Sequence, residues 1–195
     1  MVSRKITAAL AAVAAVISIA GWFFPVPLPA QEKQAQPAAM QEPKPGPEMD
    51  RLKFLVGDWN DAGDYMKSAM LPEGGKYSGT YRARLGPGGF SLIADFEGEG
   101  PGGAEIGHDV FTWDPKANAY KTYSFTNVLP GAIAGTAHWE GANLILESEF
   151  EMGGVKVGSR RMYTDIQPKS VTIEEWFRMG DAPYQQVTKY TETKK

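Results

Sequence analysis

The chain has 195 residues, with 20 Lys and Arg, 23 Asp and Glu, and no Cys. The lack of Cys excludes disulfides, thiol chemistry and the lipid anchor of bacterial lipoproteins. A formal net charge of -3 without a basic cluster argues against nucleic acid or anionic lipid as a partner. We therefore expect no nucleic-acid partner.

The first 30 residues have the pattern of an export signal. Arg4 and Lys5 precede an uncharged apolar run, Ile6 to Phe24, and a Pro-rich exit that ends at Ala30. This order is typical of a signal peptide that is cleaved after a small residue. We predict cleavage after Ala30, a periplasmic or secreted protein, and no stable membrane insertion after cleavage. The apolar run is also long enough for an uncleaved anchor, and this alternative stays open.

Residues 31–47 carry Pro, Gln, Lys and Glu without hydrophobic periodicity. Such a segment cannot bury a core, so we expect a disordered tether. Residues 48–195 are long enough for one domain with a substantial core and too short for two. We expect this domain to be a monomer or a weak dimer.

A short helix and ten strand candidates follow in chain order. Glu48–Val56 has an apolar face, acidic residues in its first turn and Gly57 at its end. The strand candidates recur at a spacing typical of all-β folds, with turn residues between them. They are Trp59–Ser68, Lys76–Leu85, Phe90–Glu97, Ala104–Asp114, Ala119–Val128, Ile133–Glu140, Asn143–Met152, Val155–Ile166, Ser170–Arg178 and Tyr184–Thr193. Because closure removes exposed edges, we predict an all-β fold, a single antiparallel meander barrel of about 8–10 strands with one short N-terminal helix.

Alternation along the strands predicts which side chains point inward. The candidates Phe90–Glu97, Ile133–Glu140 and Asn143–Met152 each have one apolar and one polar face. A membrane barrel would have the reverse, an apolar outside and a polar lumen. The predicted inward residues include Phe90, Leu92, Ala94, Phe96, Ile133, Ala137, Trp139, Leu144, Leu146 and Phe150. The predicted outward residues include His108, His138, Glu147, Glu149 and Glu151.

Four segments occur in a characteristic order over about residues 47–193. They are LKFLVGDW, LGPGGFSLIADFEG, GHDVFTWDPKANAYKTYSFTN and QQVTKYTETKK. Their order resembles the domain-of-unknown-function 1579 family of bacterial, often exported proteins. The resemblance implies a calycin-like (lipocalin-like) barrel and no established activity. Gly57-Asp58-Trp59 is also similar to the Gly-x-Trp opening of lipocalins and of nitrobindin-type haem barrels.

Ligands for haem or a metal are scarce. The similar haem barrels have an axial His near the chain's end, where this sequence has Gln185, Gln186, Thr188 and Tyr190. The chain has two His and no Cys. We therefore predict no cofactor, no haem and no tightly held metal.

Two further patterns resemble binding motifs without matching them. Asp58, Asp61 and Asp64 do not fit the alternating ligands of a calcium loop, so we expect solvated acids. The glycine-rich segments 86–89 and 98–103 lack the Gly-Lys-Ser/Thr ending of a phosphate loop, so we expect hairpin loops.

Aromatic side chains lie on almost every strand candidate. They can fill a solid core or line a ligand cavity, and the sequence leaves both alternatives open. For the cavity alternative, the candidate ligand-binding residues are Trp59, Phe96, Trp113, Trp139, Arg161, Tyr163 and Glu175.

Arg161 and Glu175 are charged residues on faces that otherwise look internal. If the loop between their strands is centred on Pro168, Ile166 pairs with Ser170 and Arg161 lies directly opposite Glu175. We predict an inward ion pair, because either charge buried alone would be costly.

These features favour an exported barrel that binds a small apolar or amphipathic molecule and is not an enzyme. One alternative is a cofactor-free hydrolase, isomerase or cyclase in which Glu175 is the acid or base and Arg161 holds an anion. The other is an envelope interaction module with a solid barrel. A cavity favours either of the first two, and a carboxyl group with a raised pKa inside it favours the enzyme.

Overall fold

The computed structural model describes residues 43–68 and 71–195. The predicted signal segment, the cleavage site after Ala30 and most of the predicted tether lie outside these residues. An α-helix (α1, Pro47–Arg51) continues as a 3-10 turn (Leu52–Leu55). The strands are β1 Gly57–Tyr65, β2 Gly75–Leu85, β3 Ser91–Gly100, β4 Gly103–Asp114, β5 Ala119–Thr126, β6 Ala132–Glu140, β7 Asn143–Met152, β8 Val155–Gln167, β9 Ser170–Met179 and β10 Gln185–Lys194.

All ten strands are antiparallel and pair with their neighbours in chain order, and β1 pairs with β10 to close the barrel. The predicted fold class, a closed meander with one short N-terminal helix, is confirmed. No helix within the described ranges is long and apolar enough to span a membrane.

The N-terminal helix covers one end of the barrel. Pro47 begins the helix, where its missing N–H costs no hydrogen bond. Gly57 ends the segment with a φ of 135°, a conformation that other residues rarely adopt. The indole Nε1 of Trp59 donates to the carbonyl of Leu55 at 2.8 Å, and the hydroxyl of Tyr120 donates to the carbonyl of Glu48 at 2.7 Å. These bonds attach the helix to the barrel.

Beneath the helix lies a packed core. Phe54 from the 3-10 turn makes edge contacts with Trp139 at 5.8 Å and with Tyr163 at 6.1 Å between ring centroids. Fully buried side chains from the helix and the strands fill the remaining space: Leu52, Leu55, Trp59, Leu92, Phe111, Tyr120, Leu144, Tyr163, Val171 and Ile173. We call this end of the barrel the closed half and the opposite end the open half.

Two predictions about β3 are wrong. Phe90 precedes the strand and is exposed, so it does not share the inward face of Leu92. The strand also continues beyond Glu97 to Gly100, through glycines that we expected in a hairpin loop. A Cβ on Gly98 would lie 2.7 Å from the Tyr77 ring, and one on Gly100 would lie 2.5 Å from the Tyr65 ring. These glycines leave space for aromatic rings inside the barrel.

Candidate functional site

A cavity of about 240 Å³ occupies the open half of the barrel. Its wall is mostly apolar, with small hydroxyl side chains between the apolar ones, and its floor is charged. The apolar wall includes Phe111, Val128, Leu129, Ile133, Leu146, Phe150, Met152 and Phe177. The floor consists of Glu105, Asp109, Arg161 and Glu175. We call this space the main cavity.

Arg161 is the centre of the floor. Its Nε donates to Oε1 of Glu175 at 2.6 Å, and its Nη1 donates to Oδ2 of Asp109 at 3.4 Å. The side chains of Arg161, Glu175 and Asp109 are 28%, 14% and 7% exposed. Burial lowers the pKa of Arg161, but the attraction of Glu175 and other neighbours outweighs it and raises that pKa. The predicted inward pair of Arg161 and Glu175 is therefore present, and Asp109 is a third member.

The register that makes this pair arises differently from our prediction. Ser170 pairs with Gln167 and not with Ile166, so the turn contains two residues. That turn alone would have placed Trp176 opposite Arg161. A bulge between Thr164 and Gln167 supplies one extra residue and restores the pairing of Arg161 with Glu175.

A smaller pocket adjoins the main cavity on the side of β1, β2 and β10. It has a volume of about 30 Å³ and shares Tyr65, Glu105, Arg161 and Glu175 with the main cavity. Its other lining residues are Asp61, Tyr77, Tyr81, Phe96, Tyr190 and Glu192. We call it the side pocket.

Asp61 and Glu192 are directly opposed partners on β1 and β10. Their Cβ atoms therefore lie about 4.5–5.5 Å apart. Both residues are buried, at 5% and 2% exposure. Oδ1 of Asp61 and Oε2 of Glu192 have no hydrogen-bond partner among the described residues. The expectation that Asp61 is a solvated acid is wrong, whereas Asp58 and Asp64 are exposed and form ion pairs with Arg82 and Lys76.

Burial shifts the pKa values of these acids upward. It raises the pKa of Asp61 from 3.8 to about 6, although Arg161 lowers it in part. Burial and the nearby Asp61 raise the pKa of Glu192 from 4.5 to about 8. Burial and the charge of Glu175 also raise the pKa of Glu105. At neutral pH the opposed pair therefore holds about one proton.

Five aromatic rings surround the opposed acids. Tyr65 and Tyr77 make an edge contact at 5.7 Å, and Tyr77 lies 4.9 Å from Tyr190 between ring centroids. Tyr81 and Phe96 complete the set. Burial raises the pKa of each tyrosine in it, so all four phenols are neutral at physiological pH.

The seven candidate residues fall into two groups. Arg161 and Glu175 line both the main cavity and the side pocket, and Phe96 lines the side pocket. Trp59, Trp113, Trp139 and Tyr163 belong to the closed half or pack against its core. The structure therefore brings three of the seven together at the cavities and places four with the closed-half core.

Sequence reasoning missed most of the acidic residues of the site. Asp61 could have been found, because it follows the inward Trp59 by two positions on one strand. Asp109 likewise precedes the inward Phe111 by two positions. Glu192 gave no comparable signal, since its strand alternates polar and charged residues on both faces.

The outer face follows its predicted pattern. His108 contacts Asp95, and His138 contacts Glu140, both in exposed positions. Glu147 binds Arg160, while Glu149 binds Lys156 and Arg178. Among residues 43–68 and 71–195, no cluster of three or more His, Cys, Asp or Glu is arranged to hold a metal ion.

Comparison with known proteins identifies the fold and not the family. No family model matches the chain, and no curated protein matches it. Among solved structures, Rv2717c from M. tuberculosis is similar, with a TM-score of 0.54 and 14% identity over 78% of this chain and 99% of that chain. Its likeness supports the barrel fold alone.

Two further structures have TM-scores below 0.5. The S-type phycobiliprotein lyase CPES from Guillardia theta has a TM-score of 0.48 and 11% identity, over 76% of this chain and 90% of its own. The structure of EF1p2_mFAP2b bound to DFHBI has a TM-score of 0.42 and 11% identity, over 75% of this chain and 98% of its own.

Proposed function

We propose that this protein binds a small apolar or amphipathic molecule in the main cavity, as a carrier, scavenger or sensor. The observation that supports this most is the cavity of about 240 Å³, with its apolar wall and charged floor. Small-molecule sites have this composition, since apolar side chains bury the ligand and a few polar groups orient it. The cavity also argues against the solid-barrel alternative.

The first test is native mass spectrometry of the protein purified from its own host. We expect a co-purifying molecule that dissociates on unfolding. The second test is titration with Nile red, an uncharged apolar dye, which should gain fluorescence in a saturable way.

A matched pair of variants locates the dye. Ser148 lines the main cavity opposite Gly135, so Ser148→Trp should fill space above that glycine. Thr136 lies next to Gly135 on the outward face, so Thr136→Trp is the control. We expect Ser148→Trp to weaken dye binding about tenfold or more, which equals about 1.4 kcal/mol. Equal binding by both variants would place the dye outside the cavity and contradict the proposal.

An enzyme that uses the same cavity is the second candidate. The observation that favours it is the opposed pair of Asp61 and Glu192, whose raised pKa values of about 6 and about 8 suit proton transfer near neutral pH. In this hypothesis these two acids replace Glu175 as acid and base. If the co-purified molecule changes mass on incubation with wild-type protein and not with Glu192→Gln, the protein is an enzyme.

We also propose export and membership of the domain-of-unknown-function 1579 family, on the residues given above. N-terminal sequencing of the mature protein from its host tests the first. A start at Gln31 would confirm cleavage after Ala30, and a start at Met1 would exclude it.

A further inference from the structure

We propose that the side pocket holds an ammonium group, so that the ligand of this protein is an amphipathic primary amine. The apolar part of the amine would lie in the main cavity, and its ammonium group would lie between Asp61 and Glu192. This inference rests on the proposed binding function and specifies its ligand class.

The first support is the set of unpartnered acceptors. Oδ1 of Asp61 and Oε2 of Glu192 are at least nine-tenths buried, line the side pocket, and lack a hydrogen-bond partner within residues 43–68 and 71–195. The hydroxyls of Tyr81 and Thr188 are buried and lack a partner there too. An ionised carboxylate only accepts hydrogen bonds, and an ammonium group only donates them. An ammonium therefore satisfies the opposed acids together.

The second support is size. The side pocket of about 30 Å³ has room for one group the size of a water molecule. An ammonium group is about that size. The side pocket adjoins the main cavity and shares four lining residues with it, so the proposal places the alkyl chain of the amine in the main cavity.

The third support is the aromatic lining. The ring of Tyr77 contacts those of Tyr65 and Tyr190, and Tyr81 and Phe96 lie at the same pocket. The face of an aromatic ring attracts cations, and proteins recognise ammonium ligands by combining such rings. The rings also exclude water, which strengthens the attraction of the acids.

The charge of the interior is the fourth support. Five inward carboxyl groups, of Asp61, Glu105, Asp109, Glu175 and Glu192, face one guanidinium, that of Arg161. Arg161 is already bonded to Glu175 and Asp109. The remaining acids have no cation of their own in the described interior, so the site attracts a cation and repels an anion.

The test compares three probes of one chain length: hexylammonium, hexanol and hexanoate. Isothermal titration with the full-length protein should give a Kd for hexylammonium at least about tenfold below that for hexanol, with hexanoate weakest. Similar affinities for all three would overturn the ammonium inference and leave the proposed function standing. Binding of none of the three would overturn both.

Variants locate the ammonium. Asp61→Asn and Glu192→Gln keep the size of each side chain and remove its charge, and both should abolish the preference for hexylammonium while hexanol still binds. Asp64→Asn is the control, since Asp64 is on the same strand and pairs with Lys76 outside. Circular dichroism and hexanol binding show that each variant is folded. A preference that survives in both folded variants would overturn the side pocket as its source.

A pH series gives a second readout that needs no variant. Glu192 must lose its proton to bind an ammonium, and a primary amine stays protonated up to about pH 10. Glu192 is faced by Asp61, Arg161, Asp109 and Glu175. Hexylammonium affinity should therefore rise about tenfold or more between about pH 6 and pH 8.5, while hexanol affinity changes little. A flat profile for hexylammonium would contradict binding at Glu192.

Discussion

The end of the barrel under the helix is filled with side chains, whereas the opposite end encloses a cavity of about 240 Å³. Both ends use the same ten strands and the same alternation of inward and outward residues. In the closed half the inward positions carry large apolar residues such as Trp59 and Leu144. In the open half several carry Ser, Thr or Gly, and these leave space.

The boundary between the halves is a layer of charged residues. Arg161 is two positions from the buried Tyr163 on β8, and Asp61 is two positions from the buried Trp59 on β1. The packed core of the closed half and the charged layer beside the cavities are therefore only two residues apart along a strand, which is the spacing of successive inward side chains. We therefore expect stability to reside mainly in the closed half, and substitutions in the open half to cost less.

The largest expected effect is a truncation in the closed half. Trp59→Ala removes a fully buried ring and its hydrogen bond to Leu55, and it should lower the free energy of unfolding by about 3–5 kcal/mol. Phe177→Ala, in the wall of the main cavity, should cost less than about 2 kcal/mol because no new closed void forms. Urea unfolding of both variants measures the difference. Equal losses of unfolding free energy in the two variants would contradict the expectation that stability resides mainly in the closed half.

Removal of Arg161, the cation in the floor of the main cavity, should have the next largest effect on the free energy of unfolding. Arg161→Met leaves Glu175 and Asp109 without their shared partner and should cost about 3 kcal/mol at neutral pH. Adding Glu175→Gln should restore part of the loss, since one stranded charge disappears. Unfolding by denaturant again measures both. A loss below about 1 kcal/mol would show that water in the cavity solvates these acids.

Glu192→Gln should stabilise the protein at slightly alkaline pH. The pKa of Glu192 is raised from 4.5 to about 8, so the folded state holds this proton more tightly than the unfolded state. Its stabilising contribution is full below pH 4.5 and is lost as the pH rises to about 8. At about 1.4 kcal/mol per pKa unit, Gln should add at least about 2 kcal/mol near pH 8.

The check on this prediction is a pair of melting curves. Near pH 4.5 the Gln variant and the wild type should melt at similar temperatures, and near pH 8 the variant should melt higher. Glu151→Gln, at an exposed position on the outward face of β7, is the control and should change neither curve. A Gln variant that is less stable at both pH values would show that the ionised acid is well solvated in the fold.

The smallest expected effect is on the outer surface. Arg160 and Arg161 are neighbours on β8, but Arg160 points outward and bonds Glu147 at 3.0 and 2.7 Å. Double-mutant cycles should give less than about 1 kcal/mol for Arg160 with Glu147, because solvent screens exposed pairs. They should give about 2 kcal/mol or more for Arg161 with Glu175, where water is largely excluded. Similar coupling energies for the two pairs would contradict the expected difference between the outward and inward faces of the barrel.

Much of the fold could be predicted because the signal is local. Gly57 and the turn residues mark the ends of helices and strands. The alternation of side chains along a strand, with a period of two residues, places Leu144 on the inward face and Glu147 on the outward face. The pairing of Arg161 with Glu175 was predicted correctly although its turn was not. A two-residue turn and a one-residue bulge near Asp165 have opposite effects on the register. Pro168 indicates a turn but not its length, and Asp165, which has a φ of 47° at the bulge, gives no signal that separates it from an ordinary strand residue in the sequence.

The ten strands, their order and the inward position of Arg161 are already contained in the sequence, since they follow from alternation and short connections. The contact between Asp61 and Glu192 is not, because the register in which the first and last strands pair depends on how the whole barrel closes. The tertiary structure also decides where the barrel is hollow. The cavity is the space that remains when side chains from ten strands and one helix are packed together. Its position and size depend on residues far apart in the sequence, so no local sequence pattern predicts them.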